Sequence, residues 1–247
     1  NADSRLPMAS TTKIMTALVA LGEGDLDRVY TVKPEYAAVE GSSMYLKAGE
    51  ILSLRDTLYG LMLASGNDAA VAIAGECGGM TAFVGKMNAK AAELGLTDTH
   101  FDNTNGLPSD THYTTAHELA KITAAALKDP VFLQIVSTKS CTVSGHALSN
   151  HNRLLSMYDG AIGVKTGFTR AAGRCLVSAA ERNGRTIIAV TLNDPNDWND
   201  HREMLDAGFA QYSEVTLHKA GDTIANARVF GGDTASVPLA AKNTVTA

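Results

Sequence analysis

Hydrophobic positions change their spacing near residue 130, and the change divides the chain into a helical part and a strand-rich part. The run Ile14 to Leu21 is almost wholly apolar and closes on Gly22 and Gly24, residues suited to a helix C-terminus. Helical spacing recurs over 54–64, 68–77, 80–94 and 115–127, with Asp68 expected as the N-cap of the second helix and Thr81 near the start of the third. Between these helices, Pro34, Gly41 and Gly49 break segment 30–53 into short extended pieces, and THFDNTNGLPSDTHYTT reads as a loop. After Pro130 the pattern predicts strands. AIGVKTG is a short apolar run ending in glycine, and RCLVSAAERNGRTIIAVTLN is two β-rich runs joined by Asn183-Gly184, a strong hairpin signal. An amphipathic helix is expected over 198–212. The remainder looks like the opening strands of another β-rich unit. The predicted class is α+β, a helical cluster packed on an antiparallel sheet, with a domain over 1–213 and the start of a small β-rich domain over 214–247.

Composition narrows the function more than the fold. A chain of 247 residues that is 45% hydrophobic can bury a full core. Its net charge is −5 and its Lys and Arg residues are scattered, which argues against nucleic acid as a partner. No apolar run approaches the roughly 20 residues needed to span a bilayer, and NADSRLPMAS shows no signal-peptide pattern. Three cysteines without CxxC spacing and seven histidines without HExxH predict neither metal nor cofactor. His112 and His117, five apart, would fall on different helix faces. Cys175, inside CLVSAA, is expected to be a buried free thiol.

Candidate chemistry begins at MASTTKIMTALVAL. Ser10 and Lys13 stand three apart, one helical turn, so the amine can reach the hydroxyl. With Ser10 as the first helical residue, its N–H is an unsatisfied donor at a positive helix end, suited to an oxyanion. A lysine buried beside it loses solvation, which favours the neutral amine that can take the hydroxyl proton. SxxK alone is weak, arising roughly once per chain of this length by chance. Two later stretches add weight: Ser65-Gly66-Asn67 between two helical patterns, and Lys165-Thr166-Gly167 closing an apolar strand. The order SxxK, SGN, KTG matches the three-element set of active-site serine penicillin-interacting enzymes.

With these motifs, and with GSSMYLKAGE, ASGNDAAVAIA, HFDNTNGLP, YTTAHELAKI and GVKTGFTRAAGRCLVSAAERNG, the chain resembles the low-molecular-mass penicillin-binding proteins that act as D-alanyl-D-alanine carboxypeptidases, from residue 1 to about 230. The resemblance implies the penicillin-binding, serine β-lactamase-like fold, an extracytoplasmic location, peptidoglycan pentapeptide stems as substrate, and β-lactams as covalent inhibitors. It also implies membrane association through a C-terminal anchor absent from these residues. It assigns Ser10 as nucleophile, Lys13 as base, Ser65 as proton relay to the leaving amine and Asn67 as the residue that holds Lys13. Lys165 and Thr166 would bind the terminal carboxylate, and Gly167 would let the substrate backbone lie against the strand. The N–H groups of Ser10 and Phe168 would form the oxyanion hole, and segment 33–49 would border the cleft as a lid.

Two departures qualify the resemblance, and two alternatives stand beside it. Relatives usually carry two strands before the SxxK helix, and this sequence starts too late to hold them: either they lie outside it, or the sheet is incomplete and its exposed edge is a liability. Some relatives clamp the substrate carboxylate with an arginine after the last strand; here Asp197 stands at that place, with Arg202 as the substitute candidate. A serine β-lactamase would share the motifs but needs a further carboxylate, usually in ExxLN between the second and third, which this sequence lacks. A penicillin-binding sensor that acylates without turnover is the remaining alternative.

Overall fold

The computed structural model describes residues 1–211 and 215–246; the domain boundary expected at 213/214 and the last residue of the 198–212 helix lie outside them. Two compact units emerge, Asn1–Asp206 and Ala207–Ala247.

At the centre of the first unit is α1 (Lys13–Leu21), buried on nearly every side by Ile14, Met15, Ala17, Val19 and Ala20. After it come β1 (Val29–Thr31), the single-turn α2 (Pro34–Ala37), β2 (Ile51–Ser53, paired with β1), α3 (Leu54–Leu63), α4 (Asn67–Glu76), α5 (Met80–Glu93) and α6 (Ala116–Ala126). Capping sets two of the starts. The Ser53 hydroxyl accepts from Asp56 N at 3.0 Å, and that of Thr115 accepts from Glu118 N at 3.1 Å. Glu118 does not reach back to the cap; its carboxylate collects Thr97 N, Asp98 N and the Thr99 hydroxyl, fixing the loop after α5.

Two expectations need correction here. Asp68 is not a cap but the second residue of α4, and its carboxylate reaches across to Ser43, Met44 and Leu46. The strand texture after Pro130 begins with a helix, α7 (Pro130–Ser137). Asp129 caps it by accepting from Val131 N and Phe132 N, and Pro130 occupies its first turn, so local capping overrides a β-branched composition.

Thereafter come a hairpin of β3 (Ser140–Val143) and β4 (His146–Ser149), the short α8 (Leu154–Met157), and the antiparallel sheet β5 (Ala161–Thr169), β6 (Gly173–Arg182) and β7 (Arg185–Leu192), in that order. The β6–β7 turn is Asn183-Gly184, with φ of 53° and 75°, both in the left-handed region that such a two-residue hairpin requires. Helix α9 (Asp197–Gln211) is pinned to this sheet by His201, fully buried, whose Nδ1 lies 2.6 Å from the Ser178 hydroxyl and Nε2 3.0 Å from that of Thr191. The second unit pairs β8 (Thr216–His218) with β11 (Val245–Thr246) and β9 (Thr223–Arg228) with β10 (Ser236–Ala240). Among the described residues, no helix is long and apolar enough to cross a membrane.

His201 and the buried His112 give the fold a pH signature. Burial pushes both imidazoles down to about 4, from an ordinary 6.5. Between those values the unfolded chain binds protons that the folded chain does not, so stability is complete above about 6.5 and declines as pH falls toward 4. Each ring contributes on the order of 2–3 kcal/mol over that window. Urea melts at pH 7 and pH 4.5 are expected to show His112→Gln losing less stability on acidification than the wild type; an equal loss in both would exclude a contribution from this ring.

Candidate active site

Ser10 sits in a single 3-10 turn, Ala9–Thr12, immediately before α1, rather than as the first residue of the α-helix. The turn is strained at Ala9, whose φ is 47°. Side-chain hydroxyls hold it: Thr11 donates to Met8 O at 2.6 Å and Thr12 to Ala9 O at 2.8 Å. Behind Thr12 lies His112, not on a helix but in the loop before α6. Its Nδ1 accepts from Asp102 N at 3.0 Å, which leaves the proton on Nε2, 2.8 Å from the Thr12 hydroxyl. Gly106, with φ of 88°, lets the facing loop close on the same turn; a Cβ there would stand 1.9 Å from Ala9 O.

Lys13 is fully buried, and its Nζ has three neighbours: Ser10 Oγ at 2.8 Å, Asn67 Oδ1 at 2.7 Å and Asn105 O at 2.8 Å. Asn67 is oriented from its other side, where Nδ2 donates to Glu40 O at 2.7 Å, so its oxygen faces the lysine. Burial first, and the positive charge of Lys165 second, lower the Lys13 pKa well below its ordinary value, against the pull of Asp68. A neutral amine has two hydrogens and one lone pair. The two carbonyl oxygens accept the hydrogens, which leaves the lone pair for the Ser10 hydroxyl. Lys165, also buried, donates to Thr166 O at 2.9 Å, and burial moves it down to about 7.

A cleft of about 310 Å³ is lined by Ser10, Ser65, Thr166, Gly167 and Phe168, which brings the three sequence motifs to one place, with Lys13 and Asn67 joined to it through hydrogen bonds. Gly167 also has a packing role: a Cβ there would stand 3.0 Å from Ser10 N and 3.2 Å from Met8 O, so the glycine lets β5 pack against the Ala9–Thr12 turn. Segment 33–49 borders the cleft through Ser42 and is fastened to α4, since Asn67 N donates to Ser42 O at 2.7 Å and Asp68 gathers the backbone of Met44 and Leu46.

Arg202 is exposed and does not line the cleft; Arg174, which sequence reading missed, does. It lies directly opposite Phe168 in the β5–β6 register. Asp197, the first residue of α9, holds it from Nε at 3.1 Å and Nη2 at 2.9 Å, and the Trp198 ring lies 5.7 Å away. His151 also reaches the cleft; burial, then the charge of Lys165, lowers its pKa. Asn105 contributes only a backbone carbonyl, for which the sequence carries little signal beyond the NTNGL turn.

Comparison with known proteins agrees with this geometry. A family model described as D-alanyl-D-alanine carboxypeptidase matches residues 1–196. The D-alanyl-D-alanine carboxypeptidase of Streptomyces sp. (strain K15) is 39% identical over 235 residues, covering 85% of this chain and 81% of that protein. DacF of Bacillus subtilis, of the same description, is 38% identical over 94% of this chain, which spans 63% of its length. Among solved structures, the Streptomyces K15 DD-transpeptidase superposes with a TM-score of 0.79 at 39% identity, over 85% of this chain and 90% of that one. The chain belongs to the D-alanyl-D-alanine carboxypeptidase family of serine-type peptidases, with the penicillin-binding α+β fold.

Proposed function

We propose that the protein removes the terminal D-alanine from peptidoglycan pentapeptide stems through an acyl-enzyme on Ser10, acting outside the cytoplasm, and that β-lactams acylate the same serine. Any membrane attachment would come from a C-terminal anchor outside these residues. The observation that carries this reading is the buried, desolvated Lys13 amine 2.8 Å from Ser10 Oγ. In the proposed reaction Lys13 takes the Ser10 proton while Oγ adds to the carbonyl between the last two D-alanines. The oxyanion is held by the N–H groups of Ser10 and Phe168. The C–N bond then breaks, and the proton passes from Lys13 through Ser65 to the leaving amine, releasing D-alanine. Lys13, again neutral, deprotonates a water that cleaves the ester and restores the hydroxyl.

The substrate carboxylate is assigned to Thr166, Lys165 and Arg174. Lys165 titrates near neutrality, whereas a guanidinium keeps its charge. Asp197 occupies only the Nε–Nη2 edge of Arg174, so the Nη1–Nη2 edge is left for a second carboxylate.

Likeness to a DD-transpeptidase gives a second reading, in which an amine rather than water takes the acyl group. Mass spectrometry of a pentapeptide ending in D-Ala-D-Ala is expected to show catalytic release of D-alanine and a tetrapeptide. Cross-linked product with an added amine acceptor would favour transfer, rapid appearance of ring-opened penicillin a lactamase, and a stable acyl-enzyme without turnover a sensor.

A further inference from the structure

The turn that carries Ser10 is held from behind by a row of hydrogen bonds that the proposed reaction does not use. The row begins at Asp102 N, which donates to His112 Nδ1 at 3.0 Å. His112 is 3% exposed and burial pushes its pKa down to about 4, so the ring is neutral and carries its single proton on Nε2. Nε2 lies 2.8 Å from the Thr12 hydroxyl. That hydroxyl, accepting from the ring, turns its own proton to Ala9 O at 2.8 Å. All the donors point the same way along the row, so each bond polarises the next. The imidazole has little freedom to leave it. Phe101 meets the ring edge to face with centroids 5.8 Å apart, and Asn88 fixes Phe101 by accepting from its N–H at 2.9 Å and donating to its carbonyl at 2.8 Å.

The last acceptor of the row gives it a bearing on catalysis. Ala9 O and Ser10 N–H belong to one trans peptide unit, in which the carbonyl and the N–H point in opposite directions. Holding the oxygen from behind therefore aims the N–H forward, to where β5 passes: a Cβ on Gly167 would stand 3.0 Å from Ser10 N. The unit needs that support, because Ala9 holds φ at 47°, a left-handed conformation that costs a residue with a side chain. We propose that His112 and Thr12 are positioning residues of the reaction, whose hydrogen bonds fix the Ala9–Ser10 peptide plane and keep the Ser10 N–H in line with the oxyanion. This deepens the peptidase reading above and rests on its assignment of the oxyanion to the N–H groups of Ser10 and Phe168. Neither His112 nor Thr12 lines the cleft. The loop's other service to the site has its own supports. Asn105 O, which faces Lys13, lies at a tip fixed by Asn103, whose Oδ1 accepts from Gly106 N at 2.7 Å, and by Thr16, which donates to Thr104 O at 2.7 Å. Loss of the imidazole therefore reaches Ser10 through Thr12.

The test compares kcat for an N-acylated D-Ala-D-lactate ester with kcat for the same ester carrying sulfur in place of the scissile carbonyl oxygen. Sulfur accepts hydrogen bonds poorly, so the oxygen-to-sulfur ratio reads the oxyanion donors rather than the nucleophile or its base. The wild type is expected to prefer oxygen. His112→Leu, which fills the place of the ring without a donor, should lower kcat for the oxygen ester about 10- to 100-fold with KM little changed. It should lower kcat for the sulfur ester far less, so that the ratio collapses. His112→Gln, whose amide donates to Thr12 in place of Nε2, should keep most of the ratio. Thr12→Val breaks the row at its next link with little change of shape and should match His112→Leu, so it supplies the measurement where the leucine variant does not fold. The two changes together should cost no more than either alone. Circular dichroism and melting show which variants are folded. A ratio unchanged in folded His112→Leu or Thr12→Val, losses that multiply in the double variant, or a wild type indifferent to sulfur overturns the positioning role and leaves the peptidase reading standing. A wild type that cleaves neither ester overturns both.

Discussion

A Lys13→Met variant is expected to take up no fluorescent penicillin in the time that labels the wild type fully. Methionine keeps the unbranched shape that fills the buried site but supplies no lone pair, so the Ser10 hydroxyl has no acceptor for its proton. Loss of a positioned general base costs about 10²- to 10⁴-fold, enough to remove the label from a gel. Lys13→Arg should behave alike for a different reason, since a guanidinium stays protonated near neutral pH. Ser10→Ala is the companion, expected to lose the label completely. The methionine variant also leaves Asn67 Oδ1 and Asn105 O without the donor they share, at about 1–3 kcal/mol for each. A melting curve must therefore show that the labelled and unlabelled proteins are both folded. Wild-type labelling rates in a folded Lys13→Met protein would remove this residue from the mechanism.

The same residues show what the sequence disclosed and what it hid. Ser10, Lys13, Ser65, Asn67 and Lys165 were legible because each sits in a short motif whose order is distinctive, and helix periodicity placed them on or beside helices and a strand. What escaped depends on pairing across the chain. Arg174 is an ordinary charged residue at the start of a strand until β5 and β6 are laid in register; then it stands opposite Phe168, beside the KTG motif. Asp68 misled because a carboxylate at a helix start resembles a cap, whereas its partners lie more than 20 residues away, in segment 43–46. Helix α7 was lost because an apolar run of eight residues fits a strand as well as a helix. Asp129-Pro130 was the better guide. His112 gave no sign at all, since burial of a loop histidine behind a distant turn is a tertiary fact.

Arg174 and Asp197 act as a pair at the end of the cleft. The cation stands on β6 and leans on the acid that opens α9, which takes one edge of the guanidinium and leaves the other. Arg174→Gln is therefore expected to lower kcat/KM for a peptide ending in a free carboxylate by roughly 10- to 150-fold, the equivalent of about 1.5–3 kcal/mol for a charged hydrogen-bonded contact. For the same peptide with a C-terminal amide the wild type and the variant should differ little, so that the discrimination between the two peptides collapses. Asp197 is 4% exposed, and removing its partner leaves a nearly buried carboxylate uncompensated. Part of any loss could then come from instability. The double variant Arg174→Gln, Asp197→Asn removes both charges and is expected to recover stability without recovering discrimination. Arg202→Gln, exposed and away from the cleft, should match the wild type in both measurements. If the double variant still prefers the free carboxylate as strongly as the wild type does, recognition rests on Thr166 and Lys165 alone, and the Arg174–Asp197 pair serves only to join β6 to α9.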